Sequence, residues 1–275
     1  MNSTVMSNPS PSQTGADREP GVAMTLDRLG HPRVHVAPDY QSLCVAVAER
    51  IAHLVQVKPD AVLGLATGST PIGIYQELVR LHQQIGLDFS GITCFNLDEY
   101  YPMDPGDDHS YHTFMQQHLF GSINCRNWQV PDGRERSLET IAEDCRRYEE
   151  AIEKAGGIDL QILGIGSTGH IGFNEPGSAP DSKTRLVDLD ESTRLNAARD
   201  FGRLEHVPHQ AVTMGISTIL KSREIMLIAS GAGKAAIVYT ALNVLVTPLV
   251  PASLLQNHPN ASFWLDSAAA QALEN

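Results

Sequence analysis

Five short, almost uninterrupted apolar runs limit what this chain can fold into: AVLGLA (61–66), GITCFNL (91–97), DLQILGIG (159–166), EIMLIAS (224–230) and ASFWLD (261–266). A strand with one wet face alternates apolar and polar residues, whereas an uninterrupted run has to be covered on both faces. Between the runs lie amphipathic stretches of helical length. In 39–57, Leu43, Val47, Ile51, Leu54 and Val55 recur at helical spacing, as do Leu138, Ile141, Cys145, Tyr148 and Ile152 in 137–157. Ser137 is placed to cap the second of these helices and Gly156 to end it. Strand-like and helix-like stretches alternate from His35 onward, which predicts the α/β class: a single Rossmann-like α/β/α domain with a mostly parallel twisted sheet, over 31–275. Residues 1–30, rich in Ser, Pro, Asn and Gly, are expected to be a disordered N-terminal tail.

Sheets of this kind bind ligands beyond the carboxyl ends of their strands. The chemistry is therefore expected in the loops after Ala66, Leu97, Gly166 and Ser230. The first loop is Thr67-Gly68-Ser69-Thr70, followed by Pro71 at the start of a helix. Small residues before a helix N-terminus make a phosphate cradle, and a plain capping turn uses the same residues. The last loop, Ser230-Gly231-Ala232-Gly233-Lys234, resembles part of a nucleotide-binding loop. It has Ile228 where the first glycine belongs and Ala235 where the magnesium-binding hydroxyl belongs, so nucleoside triphosphates are not expected. Lys234 at a helix N-terminus opposes the helix dipole, which favours an anion there over a solvated lysine.

In Asn96-Leu97-Asp98-Glu99, two carboxylates follow a buried strand, and in extended backbone only one of them need face the cleft. Asp98 is a candidate general base or a turn residue. The richest loop, Gly164 to Gly177, holds five glycines that permit close backbone approach, with His170 and Glu175 five residues apart. Histidine moves protons near neutral pH, and a carboxylate can orient it.

Twenty basic residues against 32 acidic ones give a net charge of -12, which excludes the extended basic face that nucleic acid or an anionic membrane requires. Four scattered cysteines with no CxxC pair read as reduced thiols. No opening signal segment and no long apolar span is evident, so the expected location is cytoplasmic. His109, His112 and His118 lack a metal-ligand pattern, so no metal and no cofactor is expected. Arg185, Arg194 and Arg199 read equally as surface ion pairs or as contacts to acidic groups.

The motifs LGLATGSTPIGIYQELV, FNLDEYYPMDPGDDHSYHTFMQQHLF, ILGIGSTGHIGFNEPGS, SKTRLVDLDESTRLNAARDF and AVTMGIST…SGAGKA, spread from about Val34 to Asp266, together resemble the glucosamine-6-phosphate deaminases. Their superfamily also holds the 6-phosphogluconolactonases. The pairing of FNLDEY with GHIGFNEPGS is the specific part. The resemblance implies a small phosphorylated amino sugar as partner and its conversion to fructose 6-phosphate and ammonia. It implies that Asp98 carries a proton between C2 and C1, that His170 assists ring opening, and that Glu175 works with His170. It places Thr67, Gly68, Ser69, Thr70, Arg199 and Lys234 around the phosphate.

Two positions depart from the pattern. Thr168 stands where many members carry an acid, so Glu175 alone is expected to orient His170, with Thr168 as a tuning position. Arg185 matches an allosteric arginine of hexameric members, but Val187 replaces the accompanying lysine. Activation by N-acetylglucosamine 6-phosphate is therefore not expected, and a homo-oligomer stays open. Galactosamine-6-phosphate deaminase/isomerase, a lactonase-like hydrolase and a non-catalytic sugar-phosphate sensor are the alternatives. A polar, charged stretch from about Phe173 to Phe201 is where a lid is expected.

Overall fold

The computed structural model describes residues 24–26 and 32–273. In chain order the strands are β1 Met24–Leu26, β2 Arg33–Ala37, β3 Val62–Leu65, β4 Thr93–Asn96, β5 Asp98–Tyr101, β6 Asn127–Gln129, β7 Leu160–Leu163, β8 Arg185–Asp188, β9 Gln210–Thr213, β10 Glu224–Ala229 and β11 Ala261–Asp266. The α-helices are α1 Tyr40–Val57, α2 Ser69–Ile85, α3 Tyr111–Met115, α4 Leu138–Lys154, α5 Glu191–Ala197, α6 Ile216–Leu220, α7 Ala235–Asn243 and α8 Ser267–Ala270. Eight strands form one sheet in the order β1-β2-β11-β10-β7-β3-β4-β6. Every neighbouring pair from β2 to β6 is parallel; only β1 runs antiparallel to β2.

The uninterrupted apolar runs behave as two interleaved sets. In β10, Ile225, Leu227 and Ala229 join one core while Met226 and Ile228 join another. β11 divides likewise, with Phe263 and Leu265 on one side and Trp264 on the other. The first core is completed by residues of α4, α6, α7 and α8, such as Tyr148, Ile219, Val238 and Ala269. The second is completed by α1 and α2, through Leu43, Val47, Ile51, Ile74 and Leu78. Full burial of one such side chain contributes roughly 1.5–3 kcal/mol, so both helical layers are needed to use the runs. Ser137 accepts from the Thr140 amide and caps α4, and α4 ends just before Gly156.

Two findings differ from the sequence reading. Met24–Leu26, inside the stretch assigned to the tail, pairs its backbone with β2. A three-residue strand is too short to show periodicity. Residues 1–23 and 27–30 lie outside the described residues. The second difference is a separate three-stranded antiparallel sheet, β5-β9-β8. Its strands have four residues each, and DEYY and RLVD carry charges, so no apolar pattern marks them.

The chain passes from β3 to β4 and β6 on one side, and from β7 to β10 and β11 on the other. The strand order thus reverses between neighbours β3 and β7, and the loops after both open into one crevice. β5 follows directly on β4 and turns out of the main sheet, carrying Asp98 to the edge of that crevice.

Candidate active site

The crevice encloses about 400 Å³. One side is the turn Thr67-Gly68-Ser69-Thr70, with Lys234 also on the wall. Gly68 has φ +100, which a side chain rarely tolerates, and this turns the chain from β3 into α2. The first amides of α2, which lack intrahelical partners, therefore open on the pocket side. Lys234 donates from Nζ to the Ile165 carbonyl at 2.7 Å. Burial lowers its pKa, and among the described residues no carboxylate forms an ion pair with it. An ammonium so placed favours an anion.

Elsewhere on the wall, the extended backbone of β5 sends neighbouring carboxylates in different directions. Asp98 lines the pocket although it is only 5% exposed. Burial, and then the charge of Glu99, push its pKa up to about 8. Glu99 points away and accepts amides of Tyr100, Tyr111 and His112 at 2.9–3.0 Å, holding the first turn of α3. Burial raises it to about 7 against the pull of those three amides.

His170 also lines the pocket. Its ring packs so closely on Gly166 that a Cβ there would lie 2.1 Å from Nε2. Nδ1 is 3.1 Å from Glu175 Oε2 and 3.1 Å from Thr168 Oγ1. Thr193 on α5 donates to Glu175 Oε1 at 2.5 Å and lies 3.5 Å from Nδ1. Burial raises the Glu175 pKa, but the His170 hydrogen bond and charge and the Thr193 hydroxyl outweigh it, and the net shift is downward. An ionised carboxylate only accepts, so the network assigns the imidazole proton to Nδ1 and leaves Nε2 an acceptor. Glu175 therefore does not orient His170 alone, as the sequence suggested: two threonine hydroxyls complete the cage.

The structure brings Thr67, Gly68, Ser69, Thr70, Asp98, His170 and Lys234 together around the pocket, with Glu175 behind His170 and Thr168 beside it. It does not bring Arg199 there. That residue lies just past α5, exposed and off the pocket wall, because α5 presents Thr193, Asn196 and Ala197 inward instead. Arg185 and Arg194 are not surface ion pairs. Arg185 donates to Asn174 Oδ1 and Ser178 Oγ, and Arg194 donates to the carbonyls of Leu204, Val207 and Pro208. Thr193, Tyr100 and Tyr111 were missed as pocket residues. Tyr100 ends the FNLDEY motif and was legible as a near neighbour of Asp98; Tyr111 is brought in by the start of α3, where its amide donates to Glu99, and Thr193 by the docking of α5. The histidines of 109–118 separate: His109 stacks on Phe201, His112 leans on Trp128 and His118 on Phe114. A larger open groove of about 660 Å³ runs past Met103, His109 and His206; it holds the exposed His109–Asp107 pair, with Nδ1 3.1 Å from Oδ1, but neither the turn after β3 nor Lys234.

The profile of the family described as glucosamine-6-phosphate isomerases/6-phosphogluconolactonase matches residues 39–264. A glucosamine-6-phosphate deaminase of Bacillus velezensis is 46% identical over 84% of this chain and 95% of its own. One of Halothermothrix orenii is 45% identical over 88% of this chain and 100% of its own. Among solved structures, a monomeric glucosamine-6-phosphate deaminase superposes with a TM-score of 0.84 at 43% identity, covering 87% of this chain and 99% of its own. A 6-phosphogluconolactonase from Trypanosoma brucei superposes with a TM-score of 0.68 at 23% identity, over 87% of this chain and 98% of its own, and shares the fold. A pocket at the β3–β7 reversal and a family match over most of its length place this chain in the glucosamine-6-phosphate isomerase/6-phosphogluconolactonase family.

Proposed function

We propose that the chain is a glucosamine-6-phosphate deaminase, converting glucosamine 6-phosphate and water to fructose 6-phosphate and ammonia. The observation that carries this reading is one pocket holding a buried carboxylate, an imidazole with Nε2 free to accept, and an anion cradle with a lysine that forms no ion pair among the described residues. The phosphate sits at Thr67–Thr70 and Lys234, where amides and an ammonium hold it without contacting the reacting carbons. Binding there supplies energy that keeps the opened sugar in register. Arg199 stands off the wall, so its phosphate role belongs to an arrangement with the segment past α5 closed over the pocket.

Nε2 of His170 takes the O1 hydroxyl proton as the C1–O5 bond breaks and C1=O forms; Glu175 stabilises the transient imidazolium, which passes the proton to O5. Once the C2 ammonium has given a proton to solvent, Asp98 removes the C2 proton while O1 takes a proton from water, forming an enolamine, and Asp98 then returns its proton to C1. A single carboxylate does both, because the two carbons are adjacent. C2 becomes imine-like, water adds, and ammonia leaves. Without substrate Asp98 holds its proton up to about pH 8. The ammonium at C2 of the bound sugar favours the ionised form, so the substrate itself readies the base.

FNLDEY with GHIGFNEPGS separates this reading from the lactonases, whose structures are similar in fold alone, and the retention of Asp98, His170 and Glu175 together speaks against a sensor; neither motif reads the C4 hydroxyl that distinguishes galactosamine 6-phosphate. No helix among the described residues is long and apolar enough to cross a membrane. Four buried free thiols fit a reducing compartment, the cytoplasm. Incubation with glucosamine 6-phosphate, assayed for ammonia and fructose 6-phosphate, tests the proposal, with galactosamine 6-phosphate and 6-phosphogluconolactone as parallel substrates. Hydrolysis of the lactone alone would assign the chain to the other branch, and phosphosugar binding without turnover would make it a sensor.

A further inference from the structure

Thr193 lies in the first turn of α5 and is 7% exposed. Its hydroxyl has one proton to give, and the 2.5 Å contact gives it to Glu175 Oε1. That occupies one carboxylate oxygen and leaves Oε2 to accept from His170 Nδ1 at 3.1 Å. A carboxylate turns easily about its last torsion, so without this bond the plane of Glu175 is poorly set. Thr168 cannot replace it, because it reaches only Oε2, at 3.4 Å. The same segment places Asn196, Ala197 and Asp200 on the pocket. Arg194 ties it to the carbonyls of Leu204, Val207 and Pro208, and Phe201 packs edge-on to Tyr100.

We infer that Thr193 is a positioning residue that couples the orientation of the Glu175–His170 pair to the seating of α5 beside the pocket. The inference rests on the deaminase reading and adds to it the device that sets the imidazole only when α5 is in place.

The test compares Thr193→Val and Thr193→Ser, each alone and with Glu175→Gln. Loss of one hydrogen bond to a charged group predicts that Thr193→Val lowers kcat/KM about tenfold, mainly in kcat, and displaces the acidic limb of the pH profile. Thr193→Ser is expected within about threefold of the parent, since it keeps the hydroxyl. In the Glu175→Gln background Thr193→Val should add less than about twofold, because the carboxylate it acts through is gone. Thr193→Ala repeats the deletion should valine disturb the packing. Wild-type kcat/KM in a folded Thr193→Val or Thr193→Ala variant, or an equal loss in the Glu175→Gln background, overturns the inference. The ¹⁵N shifts of the His170 ring need no turnover: they should change in Thr193→Val and revert in Thr193→Ser. Unchanged shifts overturn the inference by themselves, whereas absent ammonia release from the parent overturns only the deaminase reading.

Discussion

The turn after β3 and the strand β5 border the same pocket, yet they hold their functional atoms by different means. At 67–70 the useful groups are largely backbone amides, fixed by a helix start and one glycine. At β5 the useful group is a side chain, Asp98, fixed by the antiparallel pairing of Asp98 with Thr213 and kept from water by burial. The first arrangement suits tight, passive anion binding, because amides and a helix end need no titration. The second suits proton transfer, because burial moves the carboxyl pKa toward the working pH. Each region therefore predicts a different kinetic signature when it is damaged.

The largest effect is expected on the β5 side. Asp98→Asn should reduce turnover by roughly 10³-fold or more while leaving phosphosugar binding within a few-fold, as removal of an essential acid–base group does. A near-normal kcat would break the division of labour. The parent enzyme should lose kcat/KM as the pH falls below about 8, because the base works ionised and burial holds its proton up to that pH. The limb in kcat should lie lower, since bound ammonium favours ionisation.

On the cradle side, Lys234→Ala should raise KM by about 10- to 100-fold with kcat less affected, which is the loss of one charge-assisted hydrogen bond. A fall confined to kcat would move Lys234 into the chemistry.

A stability measurement sharpens the contrast. Asp98 has its pKa raised from 3.8 to about 8 in the folded state. Its favourable contribution is complete below the unfolded value and is lost as the pH rises through about 8. Asp98→Asn cannot ionise, so it should melt above the parent at alkaline pH, with the difference shrinking toward pH 4. A lower melting temperature across that range would show that the carboxylate is welcome in the fold.

The smallest effect belongs to the scaffold. A Cβ on Gly64 of β3 would lie 2.0 Å from Oε1 of Gln161, which is fully buried on β7. Gly64→Ala should destabilise by roughly 1–3 kcal/mol through overpacking, with KM and kcat of the folded enzyme changed little. Loss of activity without loss of stability would tie the β3–β7 seam directly to the pocket.

The parallel sheet was legible because its strands are buried on both faces, and such strands announce themselves as apolar runs. The cradle was legible because its parts are consecutive: strand, small residues, helix. His170 and Glu175 were legible as a pair for the same reason. The antiparallel sheet was hidden, since β5, β8 and β9 are far apart in sequence, short and partly charged. The place of Arg199 was not legible, because sequence gives a residue's neighbours along the chain and not the face it turns inward; α5 turns Thr193 and Asn196 to the pocket, and Arg199 is exposed off its wall.

By itself, the sequence determined the α/β class, the loops that line the pocket and the residue types found there. Hydrophobic period and turn chemistry are local properties, and they act within a few residues. Only the tertiary structure decided that Asp98 faces the pocket while Glu99 caps α3, and that Thr193 closes the cage around Glu175 and His170. Those choices depend on which distant segments pack together, because burial and hydrogen-bond partners are set by the assembled core and not by the chain's local preferences.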